Sequence, residues 1–291
     1  MEDTTCAIAR SARAPTMDLV DIGANLTHES FAHDLDDVLL RAAQAGILQI
    51  VVTGSSAADS AACVRLAQLH PQRLFATAGV HPHLAREWNS TLAEDIAATA
   101  EHRSVVAVGE AGLDFNRDFS PRADQERVFI AHLQLAAQIG KPLFLHERDA
   151  FERFHPILRE HRSHLGAVVV HCFTGEDTAL DAYLDLDLHI GITGWICDER
   201  RGLHLREMVS RIPADRLMVE TDSPYLLPRD LRPKPKSRRN EPMYLPHVLR
   251  QVAADRAQDP LECAAHTAAT ARAFFALPTP LVPSDLSTCS I

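Results

Sequence analysis

The chain has 291 residues, 46% of them hydrophobic, and a net charge of −10 at pH 7. That length supports a sizeable core in one large domain or two ordinary ones, and that composition excludes disorder and fibrous repeats. The acidic balance argues against coating duplex nucleic acid by bulk electrostatics. No run of about 18 apolar residues is present to cross a bilayer, so a soluble protein is expected.

Residues 1–16, "MEDTTCAIARSARAPT", carry two arginines but neither a continuous apolar stretch nor a convincing cleavage pattern. They read as a disordered extension rather than a secretory signal, and Met17 reads as the start of the folded domain. From there, short apolar runs alternate with helical patterns. "LVDIGAN" (19–25) precedes a helix over 34–46, and "LQIVVTG" (48–54) precedes one over 57–70. "LFATAGV" (74–80) precedes a helix near 91–101, and "VVAVGEAG" (105–112) a long one near 122–139. "PLFLHE" (142–147) precedes 149–160, "AVVVHCF" (167–173) precedes 176–185, and "HIGITGW" (189–195) precedes a short helix near 202–210. "LMVETD" (217–222) precedes 243–256, a last helix covers about 259–276, and a Pro-rich tail takes up 278–291.

Near-continuous apolar strands joined by crossover helices predict a parallel sheet covered on both faces. Eight such units over residues 17–277 predict a closed TIM (β/α)8 barrel, with a doubly wound open sheet as the alternative. The six cysteines (Cys6, Cys63, Cys172, Cys197, Cys263 and Cys289) form no C-x-x-C pair, which predicts reduced thiols in a cytoplasmic protein.

Ligands of such a barrel bind at the C-terminal ends of the strands, so polar residues that end apolar strands are the candidates. Glu110 ends the fourth strand, His146 the fifth, His171 the sixth and Asp222 the eighth; the third runs into His81 and His83, and the first into Asn25 and Thr27. Mixed imidazole and carboxylate sets bind divalent cations, with oxygen suiting Mg²⁺ and Mn²⁺ and imidazole suiting Zn²⁺ and Mn²⁺. His83, His189 and His247 are first read as hydrogen-bonded structural residues, and His83 is also a substrate-binding candidate. Glu220 shares the Asp222 face by strand alternation, as a partner of the ligands or as an acid satisfied inside the barrel. Cys172 is expected to point away from the ligands into the core.

The segments "DIGANLT", "AGVHPH", "VGEAGLDFNRDFS", "VVVHCFTGE", "IGITGWICDERRG" and "ETDSPYLLPRDLRPKPKSRRNEP" resemble those of the TatD-related metal-dependent hydrolases, over nearly the whole folded chain. The resemblance implies an amidohydrolase-type barrel that uses a divalent metal, Mg²⁺ first and Mn²⁺ or Zn²⁺ otherwise. For the bacterial branch it implies 3′ to 5′ exonuclease action that prefers single strands, on DNA and in some members on RNA, with the balance between the two left open. Carried over to matching positions, it places the metal ligands on Glu110, His146, His171 and Asp222. The wider family has His-x-His at the first strand end; this chain has Asn25-Leu26-Thr27, so one strongly held metal is expected. Glu147, beside His146, should point away from the ligands.

The expected chemistry is in-line attack of water on phosphorus, with Asp222 and Glu110 catalytic and His81 stabilising phosphate charge or assisting proton transfer. Residues 229–240, "RDLRPKPKSRRN", carry six Lys/Arg against one Asp, and Arg229, Arg238 and Arg239 are expected to meet phosphates. Arg148 is a further substrate-binding candidate, and Tyr225 and Trp195 are candidates for stacking on an unpaired base. Partners are thus 3′ ends of single strands, met by a monomer. Hydrolysis of a small ester, amide or lactone, or non-catalytic nucleic-acid binding, are the competing readings.

Overall fold

Residues 17–280 are described by a computed structural model. The extension expected over 1–16 lies outside the described residues, as does the tail beyond 280. Eight strands, β1 (Leu19–Ala24), β2 (Ile47–Val52), β3 (Leu74–Ala78), β4 (Val105–Asp114), β5 (Leu143–Arg148), β6 (Val168–Val170), β7 (His189–Ile192) and β8 (Leu217–Val219), pair in sequence order, every neighbour parallel. The ring closes just beyond β8, where Asn25 N–H donates to the Ser223 carbonyl at 2.7 Å and Asp222 N–H to the Gly23 carbonyl at 2.8 Å. This is the TIM barrel that the eight strand-helix units predict.

Helices α1 (Leu35–Gln44), α2 (Ala57–Leu69), α3 (Ser90–Ala100), α4 (Arg122–Ile139), α5 (Phe151–His161), α6 (Asp177–Asp185), α7 (Leu203–Met208) and α8 (Leu245–Asp255) follow the strands in turn, and α9 (Pro260–Phe275) ends the series. Their limits follow local chemistry. Asp259 accepts the Leu261 and Glu262 amides ahead of Pro260 at the start of α9, and Gly140 takes a left-handed φ of 68° at the end of α4.

Strand alternation sorts the apolar side chains into two layers. One layer packs between strands and outer helices; the other, including Val20, Ile22, Val51, Phe75, Phe144, Val169 and Met218, fills the barrel interior. Ala268, Ala271, Phe274 and Phe275 of α9 join the interior layer, so the last helix plugs one end of the barrel. The other end carries the polar residues.

Six strands stop earlier than the apolar runs predict, and β6, β7 and β8 do so by three residues each. Cys172 (φ 46°) and Asp222 (φ 51°) adopt left-handed backbone shortly after β6 and β8, and Thr193 caps a 3-10 turn, Gly194–Cys197, after β7. Strand β4 instead runs two residues beyond the predicted 112, to Asp114.

Candidate metal centre at the barrel mouth

Phe144 forms a floor, its ring stacked on that of His171 at 4.5 Å between centroids. Above it lies a cavity of about 370 Å³ whose walls include Asn25, Ser55, His81, His83, Glu110, His146, His171, Cys172, Asp222 and Tyr225.

Glu110 Oε1 is the focus. His171 Nε2 lies 2.8 Å from it, His146 Nδ1 3.1 Å and His81 Nε2 3.4 Å. Burial by itself pushes the Glu110 carboxyl up, but the surrounding imidazoles outweigh it and hold the group well below the usual carboxylate range. His171 responds in reverse: burial opposes its charged form, while Glu110 and Glu220 raise it well above an ordinary histidine. His81, where burial dominates, is lowered. The ligand atoms of His81, Glu110 and His146 all lie within 4.8 Å of one another, a donor set that fits a divalent cation. His81, expected in a supporting role, therefore stands with the ligand candidates; His171 reaches the group through Glu110, and Asp222 faces the same cavity.

Asn25, standing where the wider family has an imidazole, donates from Nδ2 to Asp222 Oδ1 at 3.0 Å and so orients that acid. Burial raises the Asp222 carboxyl to about 7, with Glu110 and Glu220 adding to the rise and His171 and Asn25 opposing it. Thr27 turns away and donates to Asp59 at 2.6 Å.

Glu220 is fully buried beneath the site. Its Oε1 accepts the Cys172 amide at 2.5 Å and its Oε2 lies 3.4 Å from His171 Nδ1. Two glycines make room for it: a Cβ on Gly191 would lie 2.6 Å from Glu220 Oε1, and one on Gly23 would collide with Oε2. Of the two readings of Glu220, the partner of a ligand candidate is the one realised. Cys172 departs from expectation. Its left-handed backbone breaks the alternation that sends it to the core, and the residue lines the cavity. Glu147 does point away, accepting the Ala150 amide at 2.7 Å and the Tyr183 hydroxyl at 3.1 Å.

Asp114 was not singled out by the sequence reading, although period two from Glu110 through Gly112 would have marked it. Its Oδ2 lies 2.6 Å from His83 Nε2 and 3.6 Å from His146 Nε2. Burial by itself pushes the Asp114 carboxyl up, but the nearby His146 ring and the hydrogen bonds from His83 and the Arg117 amide outweigh it and hold the group far below the usual range.

The arginines are spoken for to different degrees. Arg239 forks onto Asp34 at 2.8 and 2.6 Å, reaches Glu241 at 2.7 Å and lies over the Phe31 ring, so it serves as an anchor of its loop. Arg229 pairs with Glu199 at 3.2 Å and lies 3.4 Å from Asp198. Arg148 donates to Thr174 at 3.0 Å and sits with Arg201 over Trp195, whose faces are thereby engaged. Arg238 is exposed. None of these arginines lines the cavity, whereas Tyr225 does, half exposed, with its ring edge-on to His28.

Comparison with known proteins places these features in a family. A family model described as TatD related DNase matches residues 20–276. The "3'-5' ssDNA/RNA exonuclease TatD" of Pectobacterium parmentieri is 53% identical over 259 residues, covering 89% of this chain and all of the relative. The protein of that name from Salmonella typhimurium is 51% identical, covering 88% and 98%. Among solved structures, the TatD homolog YJJV of Escherichia coli K12 superposes with a TM-score of 0.81 at 28% identity, covering 90% of this chain and 99% of that one.

Proposed function

The chain belongs to the TatD related DNase family, and from that premise we propose that it is a metal-dependent exonuclease hydrolysing single-stranded DNA and RNA from the 3′ end. The observation that carries the reading is Glu110 Oε1 with three imidazole nitrogens within 3.4 Å of it, in a cavity shared with Asp222. The relatives' shared name supports the substrate class.

His81, Glu110, His146, His171 and Asp222 would hold the cation. When bound it supplies Lewis acidity and a water of lowered pKa. The protein's own groups do the rest. With Oδ1 held by Asn25, Asp222 Oδ2 orients the attacking water and takes its proton. Glu220 fixes the His171 ring from beneath. His83, held by Asp114 at the cavity wall, would meet the phosphate, and Tyr225 offers a surface for the unpaired terminal base. A cavity at the end of a barrel admits a frayed strand more readily than a duplex. The family resemblance implies Mg²⁺, while the imidazole content suits Mn²⁺ and Zn²⁺. Free thiols at Cys63, Cys172, Cys197 and Cys263 support a reducing, cytoplasmic setting, where a monomer would serve nucleic-acid turnover or repair.

The test uses metal-stripped protein and single strands labelled at the 5′ end, with free or blocked 3′ ends, and each cation added in turn. Stepwise shortening of free ends alone, abolished by Asp222→Ala, is expected. Intact oligonucleotides with every cation, beside cleavage of simple esters or lactones, would overturn the proposal in favour of a small-molecule hydrolase.

A further inference from the structure

Cys197 ends the 3-10 turn after β7, Asp230 opens the basic loop after β8, and His247 lies in the first turn of α8. The three come from separate segments, yet their ligand atoms all lie within 4.8 Å of one another, with His247 Nε2 2.7 Å from Asp230 Oδ1. None of them lines the cavity at the barrel mouth. We propose that Cys197, Asp230 and His247 form a second metal site, which takes a borderline divalent cation of the Zn²⁺ type and ties the Arg229–Arg239 loop to the barrel.

The donor chemistry selects the ion. Thiolate and imidazole favour Zn²⁺ over Mg²⁺, and one sulfur, one nitrogen and one oxygen leave the fourth tetrahedral position for water. Each donor is held by its surroundings: Cys197 is fully buried behind a turn capped by Thr193, and His247 rides on α8. A second cavity, of about 520 Å³ and lined by Leu231, Arg232, Pro246, His247 and Arg250 among others, opens against the histidine. The neighbouring acid Asp198 does not compete, since Arg200, Arg201 and Arg229 surround its carboxylate.

Loading releases a proton to solvent as the Cys197 S–H bond gives way to the metal–sulfur bond, and His247 binds through a ring nitrogen without a proton. Burial and the Asp230 carboxylate push the thiol up; a cation between them reverses that balance. The site draws together the segments after β7 and β8 and the start of α8, and so pins the loop that carries Arg238. It does not depend on the nuclease reading.

Full-length protein stripped with a chelator and titrated with Co²⁺, as a spectroscopic stand-in for Zn²⁺, tests the assignment. A thiolate-to-cobalt charge-transfer band is expected in the wild type and in Cys172→Ser, and its loss in Cys197→Ser. His247→Gln, a change at a half-buried position, guards against a folding defect in the cysteine variant. Followed at the thiolate band, which the barrel-mouth imidazoles do not produce, it should weaken Co²⁺ binding by more than about a hundredfold, beyond what losing an outer partner costs. Zn²⁺ should also slow backbone hydrogen exchange over 229–239 in the wild type and not in His247→Gln. Absence of a thiolate band, a band that follows Cys172, or undiminished Co²⁺ affinity at the thiolate band in His247→Gln would overturn the site, and unchanged exchange would overturn its tie to the loop.

Discussion

Arg238 and Arg239 sit side by side in the most basic stretch of the chain, and a reading of charge alone treats them alike. The structure separates them, because Arg239 is held by Asp34 and Glu241 while Arg238 is exposed. Arg238→Ala should lower the salt dependence of single-strand binding by about 0.7 in log–log slope, the share of one phosphate contact, with thermal stability unchanged. Arg239→Ala should instead lower stability by about 1–2 kcal/mol, since two acids lose their shared partner. Denaturation curves and salt titrations of both variants check the split; a larger stability loss from Arg238 would refute it. Glu220 is a positioning residue on the same scale. Glu220→Gln keeps the volume that Gly23 and Gly191 provide but weakens the hold on His171, so kcat should fall about 10- to 100-fold with KM little changed. A change confined to KM would show that the carboxylate does not act through the ring.

Elements position these residues, and strand alternation predicts much of that placement. Glu110 and Asp114 share the inner face of β4 because they are four residues apart, and the same rule sends Glu147 outward from β5. The rule fails where a strand ends in left-handed backbone, which is why Cys172 enters the cavity against expectation. Helix α4 contributes in a way that sequence did not suggest. His132 is buried; its Nε2 accepts the Val80 amide at 3.0 Å and its Nδ1 donates to the Val128 carbonyl at 2.8 Å, which fastens the segment that leads into His81. Burial lowers this histidine to about 4 against an ordinary 6.5, with the Val128 contact opposing. Its neutral form therefore adds stability that is fully present above pH 6.5 and lost as pH falls toward 4, a contribution of about 3 kcal/mol at most. Urea midpoints should drop between pH 7 and pH 5, and less steeply in His132→Gln. Equal slopes would remove the role assigned to the ring.

At the scale of the whole molecule, α9 decides which end of the barrel is open. Phe274 and Phe275 pack with Val20, Phe75 and Met218 inside one end, leaving the C-terminal ends of the strands for the polar residues. Phe275→Ala should cost about 3–5 kcal/mol by leaving a cavity in that plug, as read by denaturant unfolding, while the fold persists. A cost below about 1 kcal/mol would mean that the helix is not part of the barrel core. From its periodicities and strand-end residues, the sequence by itself determined a (β/α)8 barrel and the rim to which Glu110, His146, His171 and Asp222 belong. Those properties follow local rules of alternation and connection, and local rules are written in the order of residues. Only the tertiary structure decided that Arg239 is an anchor, that Asp114 pairs with His83 and Glu220 with His171, and that Cys197, Asp230 and His247 meet. Such pairings join positions far apart along the chain, and the distance between two side chains is set by how strands and loops pack, which no local pattern records.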